Sequence, residues 1–259
     1  MEERYIKKSY IDEGSFSVCY KAIRKNDQTI VALKVVKPEK SSSHLEKEKE
    51  ILTKIGDKEG IIKFIEFIPQ DKCLVLEYFP SENMFNFVRG WEYPTEPKAK
   101  AIFKKIVMVI QTIHSSSVVH NDIKLENILL KDDEIKLIDF GLSFVSEKGE
   151  MPQDLRKAGS RNYLSPEKLD FKDDIKDAYK IDVWSLGIVL FSMLNKFYPY
   201  DPNDLAKRIQ TEVLYPNIYV VYEREKFSKN YIHLVESMLT GDPKTRISIS
   251  EILSHPWLQ

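Results

Sequence analysis

The sequence predicts an α+β protein in two lobes. Residues 1 to 80 are strand-rich, a 3.6-residue apolar period sets in after Tyr93, and helical signals continue from there to the end. With 259 residues the chain is long enough for one large domain or two small lobes around a buried core.

Taken in order, residues 5 to 36 read as strands. SFSVCYKAIRK and TIVALKVVK alternate or run in β-branched residues, and Asn26-Asp27-Gln28 between them has a turn composition, so a hairpin is expected. Ser43 to Ile55 takes a helical pattern, with serines placed to cap it. IIKFIEFI and KCLVLEYF give two further strands joined at Pro69-Gln70-Asp71. In PKAKAIFKKIVMVIQTIH the apolar residues at 99, 102, 103, 106, 110 and 113 predict a helix about five turns long. Ile128 to Leu130 and Ile135 to Ile138 are expected as short strands around the turn Lys131-Asp132-Asp133-Glu134. Further helices are expected over 182 to 195, 204 to 211, 228 to 239 and 248 to 253. This organisation puts the first lobe at about 1–78, a hinge at about 77–81 and the second lobe at about 82–259.

Composition excludes several classes. The 39 basic side chains are matched by 40 acidic ones, so the basic footprint of a nucleic-acid binder is missing. Two cysteines, Cys19 and Cys73, form no CxxC, which fits a reduced intracellular compartment, cytoplasmic or nuclear. No apolar signal core follows Met1-Glu2-Glu3-Arg4, so no secretion is expected. The most apolar run, Val183 to Leu194, is too short for a bilayer and suits a buried helix, so no membrane partner is expected, and the chain is expected to act as a monomer.

Three stretches carry chemistry. In HLEKEKEILTKI the stripe Leu45, Leu52, Ile55 includes Glu48, which needs a cation if it faces inward, and Lys34 in VALKVV is the candidate. Two unrelated surface charges are the alternative. In IDEGSFSVCY the tip Gly14-Ser15-Phe16-Ser17 would let backbone N–H groups approach a phosphate, with an ordinary hairpin turn as the alternative. VVHNDIKLENILLKDDEIKLIDFG sets His120, Asn121, Asp122, Lys124, Glu126 and Asn127 between apolar patches. Its hairpin returns Asp139 towards Asp122 and Asn127, and Gly141 is expected to turn the chain sharply. Such oxygen ligands suit Mg²⁺ and phosphate, with Lys124 available to neutralise charge.

Together these stretches resemble a eukaryotic-type serine/threonine protein kinase catalytic domain, from about Tyr5 to Leu258. VALK, HNDIKLEN, DFG, GSRNYLSPE, DVWSLGIVL and DPKTRISISEILSHPWL follow the family's order. GSRNYLSPE and HPWL lean towards the group with calcium/calmodulin-dependent and energy-sensing kinases. The resemblance implies an N-terminal antiparallel sheet with one helix, a mainly helical C-terminal lobe, and transfer of the γ-phosphoryl of Mg-ATP to serine or threonine of a protein substrate. It implies that Lys34 holds the α- and β-phosphates, fixed by Glu48. Gly14, Ser15, Phe16 and Ser17 would cover them. Asp122 would accept the hydroxyl proton, and Asn127 and Asp139 would bind Mg²⁺. Lys124 and Ser160 mark the serine/threonine class. The backbone of Glu77 and Phe79 would meet adenine, with Ile11, Cys19 and Ala32 on the ring and Leu76 at the gate. Asp182 would support the catalytic loop, and Arg246 would pair with Glu167.

The chain also departs from the family. Asp12 and Ser17 replace two glycines of the phosphate loop, which implies weaker ATP binding. Asn121 replaces the arginine that receives a phosphorylated activation loop, and residues 144 to 159 hold one hydroxyl, Ser146, so activity without that phosphorylation is expected. Asn83 replaces a glutamate that touches ribose and basic substrate residues. Leu125 and Ser165 replace a proline and an alanine and read as tolerated. The alternative is a pseudokinase scaffold with weak nucleotide binding. A small-molecule phosphotransferase is disfavoured by GSRNYLSPE, and a P-loop enzyme by the lack of GxxxxGK[ST].

Overall fold

The first seventy-odd residues form a single antiparallel sheet from β1 (Tyr5–Glu13), β2 (Ser17–Arg24), β3 (Ile30–Val36), β4 (Phe64–Ile68) and β5 (Cys73–Glu77), in the order β1-β2-β3-β5-β4. It is seen in a computed structural model that describes residues 3–92, 94–156, 158–169, 175–200 and 226–259. Successive side chains of a strand face opposite sides, and β3 uses this to separate two tasks. Val31 and Leu33 pack with Tyr5, Ala22, Cys73 and Val75 on one face. Ala32, Lys34 and Val36 turn to the other, where Leu74 and Leu76 belong to the main core.

Helix α1 (Ser43–Ile55) lies against that second face and buries Leu45, Glu48, Ile51, Leu52 and Ile55. The expected serine cap differs in detail. Ser42 at the N-cap makes no bond to backbone N–H and instead donates to Glu46 at 2.6 Å.

The stretch 61–68 is shorter as a strand than expected, because its first residues serve the second lobe. Ile62 N–H donates to Leu137 O at 3.0 Å, and Leu137 N–H donates to Gly60 O at 2.8 Å. Ile61 and Ile62 therefore bridge to the distant hairpin, and the sheet strand begins at Phe64.

Beyond the connecting residues 78–81 come β6 (Glu82–Asn83), α2 (Met84–Gly90) and α3 (Glu96–Ser115). Sequence patterning did not point to α2, whose seven residues bury only Met84 and Val88; Asn83 caps it by accepting from Asn86 N–H at 2.9 Å. In α3 all six periodic positions are buried. β7 (Val118–Val119), β8 (Ile128–Lys131), β9 (Glu134–Leu137) and β10 (Phe144–Val145) follow, with β8 and β9 forming the expected hairpin and β7 pairing with β10.

A four-residue helix, α4 (Pro166–Leu169), precedes α5 (Tyr179–Asn195). From Ile181 to Leu194 every residue of α5 is buried, which is why this segment is apolar without a period. Lys229–Met238 and Ile249–Ser254 are the remaining described helices, the second with a capping box of Ser248 and Glu251. The helix expected over 204 to 211 lies outside the described residues. Among the described residues no helix is long and apolar enough to cross a membrane.

Candidate active site

Three charged side chains meet where the sheet, α1 and the β9 end converge. Lys34 Nζ donates to Glu48 Oε2 at 2.6 Å and to Asp139 Oδ1 at 2.9 Å. Glu48 is fully buried, and its other oxygen accepts from Phe140 N–H at 3.3 Å. The inward-facing reading of the α1 stripe therefore holds over that of two surface charges. Burial pulls the Lys34 pKa down, but the facing carboxylates of Asp139 and Glu48 outweigh it and hold the ammonium protonated. Burial likewise pushes Asp139 up, and the Lys34 charge and hydrogen bond overcome it, leaving its carboxyl at about 2. Asp139 keeps 45% of its side chain exposed, so it remains open to a ligand.

Gly141 sits in the sharp turn expected of it, in which Ser143 N–H donates to Phe140 O at 3.0 Å. The left-handed residue is Asp139, with φ 65°, a conformation that Asp and Asn tolerate better than most side chains. Asn121 takes the same conformation at φ 66°.

The loop from His120 to Asn127 is held from beneath. Asp182 on α5, fully buried, accepts from His120 N–H and Asn121 N–H at 2.9 Å each, and pairs with His114 Nε2 at 2.8 Å. Burial pushes its pKa up, and these donors, His114 first, bring it below the usual range. Burial also lowers the pKa of His120, and the neutral ring uses both nitrogens. Nε2 lies 3.1 Å from Ile138 O, and Nδ1 accepts from Asp122 N–H at 3.3 Å, which sets the Nε2-protonated tautomer.

On this base the polar groups converge. Asp122 Oδ1 accepts from Ser160 N–H at 2.8 Å, and its Oδ2 lies 3.0 Å from Lys124 Nζ. Lys124 Nζ also donates to Ser160 Oγ at 2.9 Å. Asn127 Nδ2 donates to Asp122 O at 2.9 Å and to Asp122 Oδ2 at 3.2 Å. Its amide oxygen, a hard donor, is thereby left for another partner.

The order and spacing of these groups match one family. Its model, the protein kinase domain, covers residues 5–258. The chain belongs to the protein kinase family. It is 36% identical to a maternal embryonic leucine zipper kinase of Xenopus tropicalis over 194 residues, 73% of this chain and 28% of that one. It is 34% identical to the SNF1-like protein kinase ssp2 of Schizosaccharomyces pombe over 98% of this chain and 44% of that one. With the human testis-specific serine/threonine-protein kinase 3 it shares 33% identity over 96% of this chain and 93% of that one. The chain thus spans less than half of the first two relatives and nearly all of the third. The third of these is a serine/threonine-protein kinase by name, and the five-stranded sheet followed by helices is the two-lobed kinase fold.

Other expected site residues of the kinase sit as follows. Ile11 on β1 and Phe16 at the β1–β2 turn are exposed, Ser17 is buried, and Cys19 and Ala32 are half-buried. Gly14 N–H donates to Ser17 O at 2.9 Å, so the β1–β2 connection is a tight turn, and a Cβ on Gly14 would enter open space. Its neighbour Ser15 lies in the same turn. Phe16 packs against the His44 ring at a 35° tilt with centroids 3.9 Å apart, and His44 Nδ1 lies 3.4 Å from Gly141 O, which ties the loop tip to α1 and the DFG turn. The Asp12 carboxylate accepts from Glu13 N–H at 2.8 Å. Glu77 spends its N–H on Lys63 O at 2.9 Å, so only its carbonyl can serve a ring. Phe79 O accepts from Ser81 Oγ at 3.2 Å. Asn83, at the position of a family glutamate, is committed to capping α2.

Arg246 and Glu167 form a buried bidentate pair at 2.7 and 2.8 Å. The remaining Arg246 donors reach Lys180 O, Thr240 O and Gly241 O, and its Cζ lies 5.0 Å from the Trp184 ring centroid. Sequence reasoning missed the contribution of His114, which reads simply as the polar end of an amphipathic helix.

Proposed function

We propose that the chain is an active serine/threonine kinase that transfers the γ-phosphoryl group of Mg-ATP to a protein hydroxyl and needs no phosphate on its activation segment. The observation that carries this reading is Lys34 held between Glu48 and Asp139, with Ile138 N–H, next to Asp139, donating to the backbone carbonyl of Asn127 at 3.0 Å. Lys34 supplies a fixed positive charge to the α- and β-phosphates. Glu48 is its permanent partner because it is sealed from solvent, whereas half-exposed Asp139 is free to exchange Lys34 for a metal. The unspent amide oxygen of Asn127 and the low-pKa carboxylate of Asp139 fit Mg²⁺, which takes one or two protein oxygens and completes its shell with water and phosphate. Mg²⁺ held there would offset the negative charge of the phosphates.

Asp122 Oδ2 receives the hydroxyl proton, while the Ser160 N–H bond on Oδ1 fixes the carboxylate's direction. Lys124, 3.0 Å from Asp122 Oδ2, would neutralise charge on the transferred group. Gly14, Ser15, Phe16 and Ser17 would cover the phosphates. Ile11, Cys19, Ala32, the Glu77 carbonyl and the Phe79 N–H would frame the adenine.

Independence from activation-segment phosphorylation is supported by Ser146. Its Oγ is buried and donates to Glu150 O at 2.7 Å, so the sole hydroxyl of residues 144–159 is withdrawn from a modifying enzyme. Phosphatase-treated protein is expected to keep its rate on a serine peptide, and a large loss would contradict this. The rival reading, a scaffold without catalysis, draws on Asp12 and Ser17 in the phosphate loop and on Asn121 before the proposed base. It predicts no transfer at any ATP concentration, whereas a merely weakened loop predicts a raised KM for ATP.

A further inference from the structure

One buried charge takes no part in this chemistry. Lys168 on α4 is 1% exposed, and among the described residues no carboxylate lies within ion-pair distance of its ammonium. A lone buried cation costs folding free energy unless hydrogen bonds replace its water. Here they do. Lys168 Nζ donates to Asn121 Oδ1 at 2.6 Å and also to Ala158 O. Asn121 in turn donates from Nδ2 to Leu142 O at 3.0 Å.

One lysine and one asparagine thus tie together the start of the activation segment, its end and the catalytic loop. The approach is close: at Gly159, with φ +121°, a Cβ would lie 3.2 Å from Asn121 O and 3.3 Å from Lys168 Nζ. The next residue, Ser160, is the one whose N–H orients Asp122.

We propose that Lys168 is a positioning residue, its ammonium holding residues 158–160 against the catalytic loop and so doing from inside the protein what a phosphate on the activation segment does through the arginine that Asn121 replaces. This rests on the reading of the chain as an active kinase. Asn121 suits the role twice, as acceptor for Lys168 and as a residue that tolerates its left-handed backbone. Arginine at this position would set a second cation against Lys168.

The facing charges are Asp122 on the catalytic loop, Asp182 on α5 and Glu167 on α4 itself, the last already paired with Arg246. Burial brings the Lys168 pKa down to about 8 despite them. Loss of the proton turns charge-assisted bonds into weaker neutral ones.

The test uses the whole chain with Lys168→Met, Asn121→Ala and the double variant. Hydrogen exchange at amides 158–160 is the readout that needs no catalysis, and it is expected to quicken in each variant. Misplacing the segment should lower peptide kcat/KM by about 10²-fold, with the KM for ATP held within about twofold. The double variant should lose no more than the worse single one, because both break the same link. Wild-type kcat/KM should fall as pH rises through about 8, and Lys168→Met should lack that limb. Unchanged exchange and peptide kinetics in Lys168→Met, or single losses that multiply in the double variant, would overturn the proposal. Should Lys168→Met fail to fold, Asn121→Ala decides alone. If the wild-type chain transfers no phosphate, the kinase reading fails while hydrogen exchange still decides the role of Lys168.

Discussion

Lys34 and Asp139 lie 105 residues apart in sequence and 2.9 Å apart in space, Nζ to Oδ1. Glu48 closes the group from the other side at 2.6 Å. The sheet, α1 and the β9 turn each contribute one charge, so relative movement of the three elements is registered at this point.

Replacing Lys34 by Met should abolish transfer and also destabilise the fold, because Glu48 would be left buried and unpaired. A broken buried pair costs about 3 to 5 kcal/mol. Adding Glu48→Gln should restore much of the stability and none of the activity. Denaturant titration and a phosphotransfer assay separate the two effects.

Asp122→Asn should lower turnover by about 10² to 10⁴, the range for a lost general base. Its melting temperature should fall modestly, since Asn keeps an acceptor for Ser160 N–H but turns its amide N–H₂ towards the Lys124 and Asn127 donors. A near-wild-type rate would remove Asp122 from the proposed role.

How much of this was legible in the sequence varies by element. Lys34 and Glu48 could be read because two periods met, alternation along β3 and the 3.6-residue stripe of α1. Ile61 and Ile62 read as strand because a run of β-branched residues looks the same whether it pairs in its own sheet or bridges to a distant hairpin. The turn at Gly141 could be read from the glycine, whereas the left-handed backbone of Asp139 could not, since the sequence offers no sign that an aspartate takes it. Lys168 had no signal at all. A four-residue helix has no period, and a lysine there reads as exposed until the fold closes over it.

Arg246→Lys is not conservative, because one ammonium cannot replace a bidentate fork and the three further bonds to carbonyl groups. Glu167 would be left half-satisfied in a buried site, and stability should fall by up to about 3 to 5 kcal/mol, measured by urea unfolding.

Ser165 is fully buried, and among the described residues its hydroxyl has no hydrogen-bond partner. Ser165→Ala should therefore stabilise the fold by about 1 kcal/mol, since it removes an unpaired polar group. A loss of stability in thermal unfolding would contradict this.

The pH dependence of stability has a definite sign at Lys168. Its folded pKa is about 8 against an ordinary 10.5. Between those values the unfolded chain holds a proton that the folded chain has released, so the contribution to stability rises with pH across this window. Below about 8 both states are protonated, and the burial penalty is fully present. The stability of wild type minus that of Lys168→Met should therefore grow from pH 8 to 10 in denaturant titrations, the opposite direction to peptide kcat/KM.

The central claim is tested most directly by incubating the chain and its Asp122→Asn variant with Mg²⁺, γ-labelled ATP and a randomised serine/threonine peptide library. Label on serine or threonine is expected from the wild type, and its loss from the variant. No label from the wild type, or equal label from both, would contradict it.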